Sequence, residues 1–291
     1  MTELRLASNG LHFRCLAGGP DDGPLALLLH GFPEGAESWR AQVAGLAAAG
    51  YRAVAPDLRG YGGTDCPDGE EAYRMPHLVA DVIGLIDTLG TDRCHLAGHD
   101  WGALVGWSVA SHHPERLLTW SALSVGHPIA FTDTIRADPD QHARSSYVDL
   151  FLLRGKAESV LEEDGHRRLR RMYQVGPRPD AIPQAEVETF VRAMAEPGRL
   201  TAGLNYYRAN LGDAETERAM APHPIRTPTQ LIWGDQDPAV GPAPARATGD
   251  HVEGEYRLEV LQGAGHWLQF ERADDVSRLL LDWMGRHPRS G

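Results

Sequence analysis

Cysteine is scarce in this sequence, and what there is forms no pairing pattern. Cys15, Cys66 and Cys94 are odd in number and make no CxxC. That argues against a disulfide framework or a thiolate zinc site. Apolar runs are short, none reaching the roughly 18 residues that a spanning helix needs. The opening residues, Met-Thr-Glu-Leu-Arg-Leu-Ala-Ser, lack a basic segment followed by an apolar one. No secretory signal is visible, and a cytoplasmic enzyme is the expectation. Positive charge is also in short supply, with 28 Lys and Arg against 40 Asp and Glu and a net charge of −12. This balance disfavours nucleic acid and anionic membrane as partners. Low-complexity tracts and internal repeats are absent. Fourteen histidines invite a metal reading, but neither HxH nor HExxH occurs. The one HxxxH, His95 to His99, runs from a strand into a turn and shares no helix face. Neither metal nor cofactor is expected.

What is present is an ordinary globular composition, 42% apolar and 23% charged over 291 residues, enough for one large α/β domain or a domain plus insertion. Asn9-Gly10 between two alternating segments signals a hairpin. Pro24–Leu29, Tyr51–Ala55, Arg93–Ala97 and Leu117–Val125 read as strands. The patterns at Trp39–Ala49, Pro76–Leu89 and Ala103–Ala110 read as helices between them. This alternation predicts an α/β fold with a mostly parallel sheet covered on both faces. From about residue 129 to 220 the strand signal disappears and the pattern is helical. It resumes at Pro228–Trp233 and Leu258–Leu261 and closes with a helix over Asp275–Met284. The expected organisation is a core of residues 1–128 and 221–291 with a helical insertion of residues 129–220.

The chemistry centres on Leu-Ala-Gly98-His-Asp100-Trp-Gly102. Two glycines flank Asp100 at i−2 and i+2 between a strand and a helix, the spacing of a nucleophile elbow. Serine is the usual central residue. A seryl hydroxyl needs a base before it attacks, whereas a carboxylate with a pKa of about 4 is already ionised. Asp100 is therefore suited to attack an sp3 carbon and form an ester, which leaves a histidine free to activate water for the second step. As a bare helix N-cap it would not need both glycines. Ser108, in Gly-Trp-Ser-Val-Ala, lies within the following helix and is read as structural.

Four further groups complete the set. His30-Gly-Phe32-Pro33-Glu34 ends a strand, where the Phe32 amide can join that of Trp101 as an oxyanion hole. The sequence leaves the Phe32–Pro33 isomer open. His266 lies in Gly-Ala-Gly-His-Trp267 just after a strand, at the sheet edge where α/β sites form. In Trp-Gly-Asp235-Gln-Asp237-Pro, Asp237 at the loop apex is preferred to orient His266, and Asp235 to stabilise the turn. Tyr147 and Tyr207 sit in the insertion. A neutral phenol donates a proton to a leaving oxygen, which an epoxide requires and a halide does not.

Together these motifs resemble the epoxide hydrolases of the α/β-hydrolase fold, over nearly the whole chain. Asp100, then Asp237, then His266 follows their chain order. The resemblance implies an α/β-hydrolase core with a helical cap inserted between two core strands. It implies Asp100 as nucleophile, a His266–Asp237 pair activating water, and Tyr147 with Tyr207 holding the epoxide oxygen. Leu204-Asn-Tyr-Tyr207-Arg208 places the catalytic tyrosine fourth; Tyr206, where the family commonly has Trp, is a mild departure. Substrate contacts are expected from Trp101, Phe32, Pro33, Trp267, Leu150 and Phe151, with Leu152 and Met172 as further candidates. The expected partners are a small apolar epoxide and water, with no nucleic acid and no membrane, and a homodimer is compatible. Two rivals stand: a haloalkane-type dehalogenase using the same aspartate, and a low-turnover ligand-binding protein on the same fold.

Overall fold

A computed structural model describes residues 1–288; residues 289–291 of the expected second core segment lie outside the described residues. Eight strands form one sheet: β1 (Thr2–Ser8), β2 (Leu11–Gly18), β3 (Leu25–Leu29), β4 (Arg52–Pro56), β5 (Cys94–His99), β6 (Leu117–Leu123), β7 (Thr229–Gly234) and β8 (Tyr256–Leu261). Their spatial order is β1-β2-β4-β3-β5-β6-β7-β8. β2 pairs antiparallel with both β1 and β4; all other pairings are parallel. The β1–β2 hairpin turns at Asn9 and Gly10, whose positive φ values of 46° and 75° match the twist that a two-residue primed turn requires.

The central strands read as continuous apolar runs because both of their faces are covered. Leu25, Leu27 and Leu29 enter one apolar cluster while Ala26 and Leu28 enter the other. Leu231 and Trp233 alternate with Ile232 in the same way. Three helices precede the insertion: α1 (Arg40–Ala48), α2 (Met75–Thr88) and α3 (Trp101–His112). Within α2, Leu78, Val79, Val82, Leu85 and Ile86 recur at helical spacing, and α2 and α3 cover one face of the sheet. α1 contributes Val43 and Leu46 to the other face.

Between β6 and β7 come α4 (Pro128–Ala137), α5 (Pro139–Arg144), α6 (Tyr147–Phe151), α7 (Lys156–Met172), α8 (Gln184–Ala195), α9 (Arg199–Asn210) and α10 (Ala214–Ala219). No described residue in this stretch is in a strand. α7 is interrupted where Asp164, Gly165 and His166 take left-handed dihedrals. The chain then completes the core with α11 (Pro242–Ala247), α12 (Leu268–Glu271) and α13 (Ala273–Arg286), and α13 joins α1 on the second face through Val276, Leu279 and Leu280. This is a mostly parallel α/β sheet with a helical insertion between β6 and β7. Several elements run longer than the apolar pattern predicts, β8 and α13 among them. β8 starts at Tyr256 rather than Leu258, and its Arg257 reaches Asp282 and Gln230 at 2.8 and 2.7 Å. α13 starts at Ala273, its first turn being acidic (Asp274 and Asp275), as suits a helix N-terminus.

One cap helix is bolted to the core. The Tyr206 hydroxyl donates to the Arg59 carbonyl oxygen at 2.8 Å, and Asn210 Nδ2 donates to that of Tyr73 at 2.8 Å. Arg59 is itself held by a buried two-point pair with Asp81, at 2.7 and 2.6 Å. These contacts fix the rotation of α9, and with it the direction in which Tyr207 points.

The join from β5 to α3 leaves no room for side chains at its two glycines. A Cβ on Gly98 would lie 2.3 Å from the Gly102 carbonyl oxygen, and one on Gly102 would lie 2.2 Å from that of Leu29. Neither neighbour is a flexible side chain, so neither can give way. Gly98→Ala is expected to destabilise the fold by about 1–3 kcal/mol or more, read as a lower urea midpoint at an unchanged m-value.

Candidate active site

Asp100 caps that join with φ 52° and ψ −117°, a conformation unfavourable for a residue with a side chain. It lifts the carboxylate above the carboxyl edge of the sheet. Oδ1 accepts a hydrogen bond from the Phe32 amide at 2.8 Å. Oδ2 lies 3.7 Å from His266 Nε2. The Phe32–Pro33 bond is cis. His30, at the head of the same loop, is a structural peg. Its Nε2 accepts from the Leu58 amide at 2.9 Å while Nδ1 faces the Gly31 carbonyl oxygen at 2.9 Å. Burial pushes its pKa down, consistent with a neutral ring.

On its other side His266 meets Asp237, with Nδ1 2.8 Å from Oδ2. The remaining Asp237 oxygen accepts from the amides of Ala239 and Val240 at 2.8 and 3.0 Å. Asp235 instead accepts from the Gly263 amide at 2.7 Å, a turn contact away from the imidazole. Burial alone would lower the His266 pKa, but Asp237 and the facing Asp100 carboxylate outweigh it and hold the value well above that of a free imidazole. For Asp100 burial pushes upward. The contact and charge of His266, the charge of His99 and the Phe32 amide more than reverse this, leaving its pKa below the usual carboxylate value.

Tyr147 begins α6 and Tyr207 lies within α9, their rings 6.5 Å apart at 80°. Tyr73, Tyr173 and Tyr206 each donate to a backbone carbonyl oxygen; Tyr147 and Tyr207 do not, and both face open space. A cavity of about 650 Å³ lies on one side of the pair and one of about 260 Å³ on the other. Asp100, Tyr147, Tyr207, Ala239 and His266 line both, so the two chambers meet at these five residues. Phe32, Leu150, Phe151, Met172 and Trp267 line the larger chamber, while Trp101 and Leu152 line the smaller. Pro33 is the exception among the expected substrate contacts. It lines neither chamber, its carbonyl oxygen accepting from Tyr173 at 2.6 Å. Ser108 is buried within α3.

Several supporting residues escape a reading of the sequence. Glu34 and His99 are fully buried and 3.0 Å apart. His99 Nε2 is 2.9 Å from the His266 carbonyl oxygen, which Ser124 also reaches at 2.8 Å. Both His99 nitrogens thus face acceptors. Gln141 on α5 donates to the Ala239 carbonyl oxygen at 2.8 Å and accepts from the Gly241 amide at 2.8 Å. Arg144 donates to the Asp237 carbonyl oxygen at 2.7 Å. The cap is thereby stitched to the loop that carries Asp237. Among the described residues, no cluster of three or more His, Cys, Asp or Glu is placed to hold a metal ion, and no helix is long and apolar enough to cross a membrane.

Comparison with known proteins follows this geometry. The model of the α/β-hydrolase fold family matches residues 24–273. The chain is 33% identical to Epoxide hydrolase 4 of Mus musculus, covering 98% of this chain and 80% of that protein. It is 34% identical to Epoxide hydrolase A of Mycobacterium tuberculosis, covering 97% of each. Among solved structures, an epoxide hydrolase of Bacillus megaterium in complex with an inhibitor superposes with a TM-score of 0.88 at 29% identity, covering 97% of this chain and all of that one.

The electrostatics are open to a direct check. A histidine whose pKa is raised by folding stabilises the fold fully below its unfolded value of about 6.5 and loses that contribution as pH climbs through the folded value. Asp237 is the largest of the influences that raise it. Asp237→Asn is expected to lower the His266 pKa by about 1–3 units in an NMR titration, and to shrink the loss of stability between neutral and alkaline pH.

Proposed function

This chain belongs to the α/β-hydrolase fold family and is an epoxide hydrolase, and we propose that it works through a transient ester on Asp100. The observation that carries the proposal is the convergence of a carboxylate, an imidazole and two free phenols where two chambers meet.

In the first step Asp100 Oδ2 bonds to an epoxide carbon as the ring C–O bond breaks. The released oxygen takes a proton from Tyr147 or Tyr207, which together hold it. In the second step His266 Nε2 takes a proton from water, and the resulting hydroxide adds to Asp100 Cγ. Oδ1, already bonded to the Phe32 amide, becomes the oxyanion. The Trp101 amide, at the start of α3, is the second proposed donor; such a donor is worth about 3–4 kcal/mol in other enzymes. Collapse expels the diol alkoxide, which takes the proton held on His266, and the acid left at Asp100, now with one oxygen from water, gives its hydrogen back to the tyrosinate and becomes a carboxylate again.

One change of charge tunes both steps. Burial and the Asp100 anion raise the Tyr207 and Tyr147 pKa values, which keeps both phenols protonated at rest. The same anion helps to hold a proton on His266. Esterification removes that negative charge. The phenols then release protons more readily as the ring oxygen needs one, and His266 can shed its own and serve as base.

Residues 129–220 are proposed as the cap over a core of residues 1–128 and 221–291. The substrate is a small, mainly apolar epoxide contacted by Phe32, Trp101, Leu150, Phe151 and Trp267, and its partner is water alone. All the proposed groups come from one chain, so a homodimer is not needed to complete the site. Three unpaired cysteines fit a reducing compartment, and the cytoplasm is part of the proposal. Carbon–halogen cleavage would leave both tyrosines without a task, because a halide departs without a proton.

Two experiments test the reading. His266→Gln should allow alkylation and stall hydrolysis, so that mass spectrometry of enzyme exposed to a styrene-type epoxide finds a substrate-sized adduct on the Asp100 peptide. An adduct elsewhere would refute the assignment of the nucleophile. Tyr147→Phe plus Tyr207→Phe should slow diol formation by about 10²–10⁴-fold, the worth of a general acid. Release of halide from a chloroalkane with no diol from any epoxide would favour the dehalogenase reading, and tight binding without turnover the receptor reading.

A further inference from the structure

The general base sits on a loop, and a residue left without a task in the mechanism above holds that loop. His266 lies between the end of β8 and the start of α12. The backbone amides on either side of it, those of Gly265 and Trp267, both donate to the carboxylate of Glu271, at 2.6 and 3.0 Å. Each oxygen takes one amide, so the carboxylate closes a fork around the His266 backbone. Glu271 is the last residue of α12, and its own amide donates to the Trp267 carbonyl oxygen at 2.9 Å. Its carbonyl oxygen accepts from Arg178 of the insertion at 2.5 Å.

Glu271 is only 6% exposed. Burying a charge is costly unless hydrogen bonds to it offset the loss of water, so stability alone does not call for a glutamate here. The approach is also close. A Cβ on Gly265 would lie 2.9 Å from Glu271 Oε1 and 2.8 Å from Pro177 Cδ, so glycine is what lets the fork reach the backbone. What the fork controls is the placement of the imidazole. Nδ1 meets Asp237 at 2.8 Å and Nε2 stands 3.7 Å from Asp100 Oδ2. A tilt of either flanking peptide would upset both distances. The groups proposed for the first step lie on other elements: Asp100 at the head of α3, Tyr147 on α6 and Tyr207 on α9.

We propose that Glu271 is a positioning residue for the hydrolytic step, fixing the His266 backbone so that Nε2 is presented to the water that attacks the Asp100 ester. This rests on the ester mechanism given above and adds a requirement to its second half. Attack of Asp100 on the epoxide carbon passes no proton through the imidazole, so the first step is insulated from the fork. Hydrolysis needs Nε2 within hydrogen-bond reach of the water, and a misplacement of about 1 Å can cost about 10²-fold in rate.

Glu271→Gln tests this, because it keeps the shape of the side chain but turns an NH2 donor toward one of the two amide donors. Rapid-quench mass spectrometry of the Asp100 peptide, together with released diol, reads the two steps separately for a styrene-type epoxide. Both enzymes are measured at a temperature where circular dichroism shows them folded. The variant should form the ester within about twofold of the wild-type rate and hydrolyse it about 10–100-fold more slowly. The ester then builds up, and KM falls along with kcat. A loss shared equally by both steps would show a structural role and overturn the proposal, as would hydrolysis at the wild-type rate. Glu271→Asp, with two acceptors on a shorter arm, should show the same split more mildly and carries the test if the glutamine variant does not fold. Diol formed by either enzyme with no ester on Asp100 at any time would overturn the ester mechanism and the positioning role with it.

Discussion

An imidazole held between two carboxylates, with little exposure of its own, sets the terms for everything around it. Such a triad is costly to bury unless each member finds partners, and the chain supplies them from distant places. The Phe32 amide comes from the loop after β3, the Ala239 and Val240 amides from the loop after β7, and the Ser124 hydroxyl from the end of β6. Parallel strands end on one side of the sheet, so these groups gather there without long excursions of the chain. The left-handed dihedrals of Asp100 are sustained by that surrounding network and would not persist in an isolated turn.

Charge balance also explains why the cap chemistry has to sit directly above. The Asp100 anion acts on His266 below and on the two phenols above, so its neutralisation is felt by all three at once. Tyr207 is held nearly rigid because α9 is tied to Arg59 and Tyr73. Tyr147 is 38% exposed, on a short helix. The two tyrosines thus differ in access to water, a difference that suits the proposed roles of fixing the oxygen and exchanging protons with solvent.

The mostly parallel sheet and most elements were legible in the residues because buried parallel strands and amphipathic helices carry strong patterns, whereas the order of the strands was not. The elbow, the His30–Glu34 loop, Asp237 and His266 were legible because glycine, proline and histidine cluster there for steric and chemical reasons. Other features were not. The Glu34–His99 contact joins residues 65 apart, and nothing in the local pattern of either announces the other. Pro33 looked like a substrate contact from its neighbours, yet it lines neither chamber and its carbonyl oxygen accepts from Tyr173. The break in α7 at Asp164–His166, which opens its second half, is invisible in a run of polar residues that would pass for an ordinary exposed helix.

The stitching of α5 to the loop after β7 has a consequence for how such proteins can change. Gln141 and Arg144 belong to the cap, yet they grip the backbone of Asp237, Ala239 and Gly241. Specificity and water activation are therefore not separable modules. A cap transplanted from a relative would arrive without the residues that shape this acid loop, so recombination at the obvious domain seams is handicapped unless residues 237–241 travel with the graft.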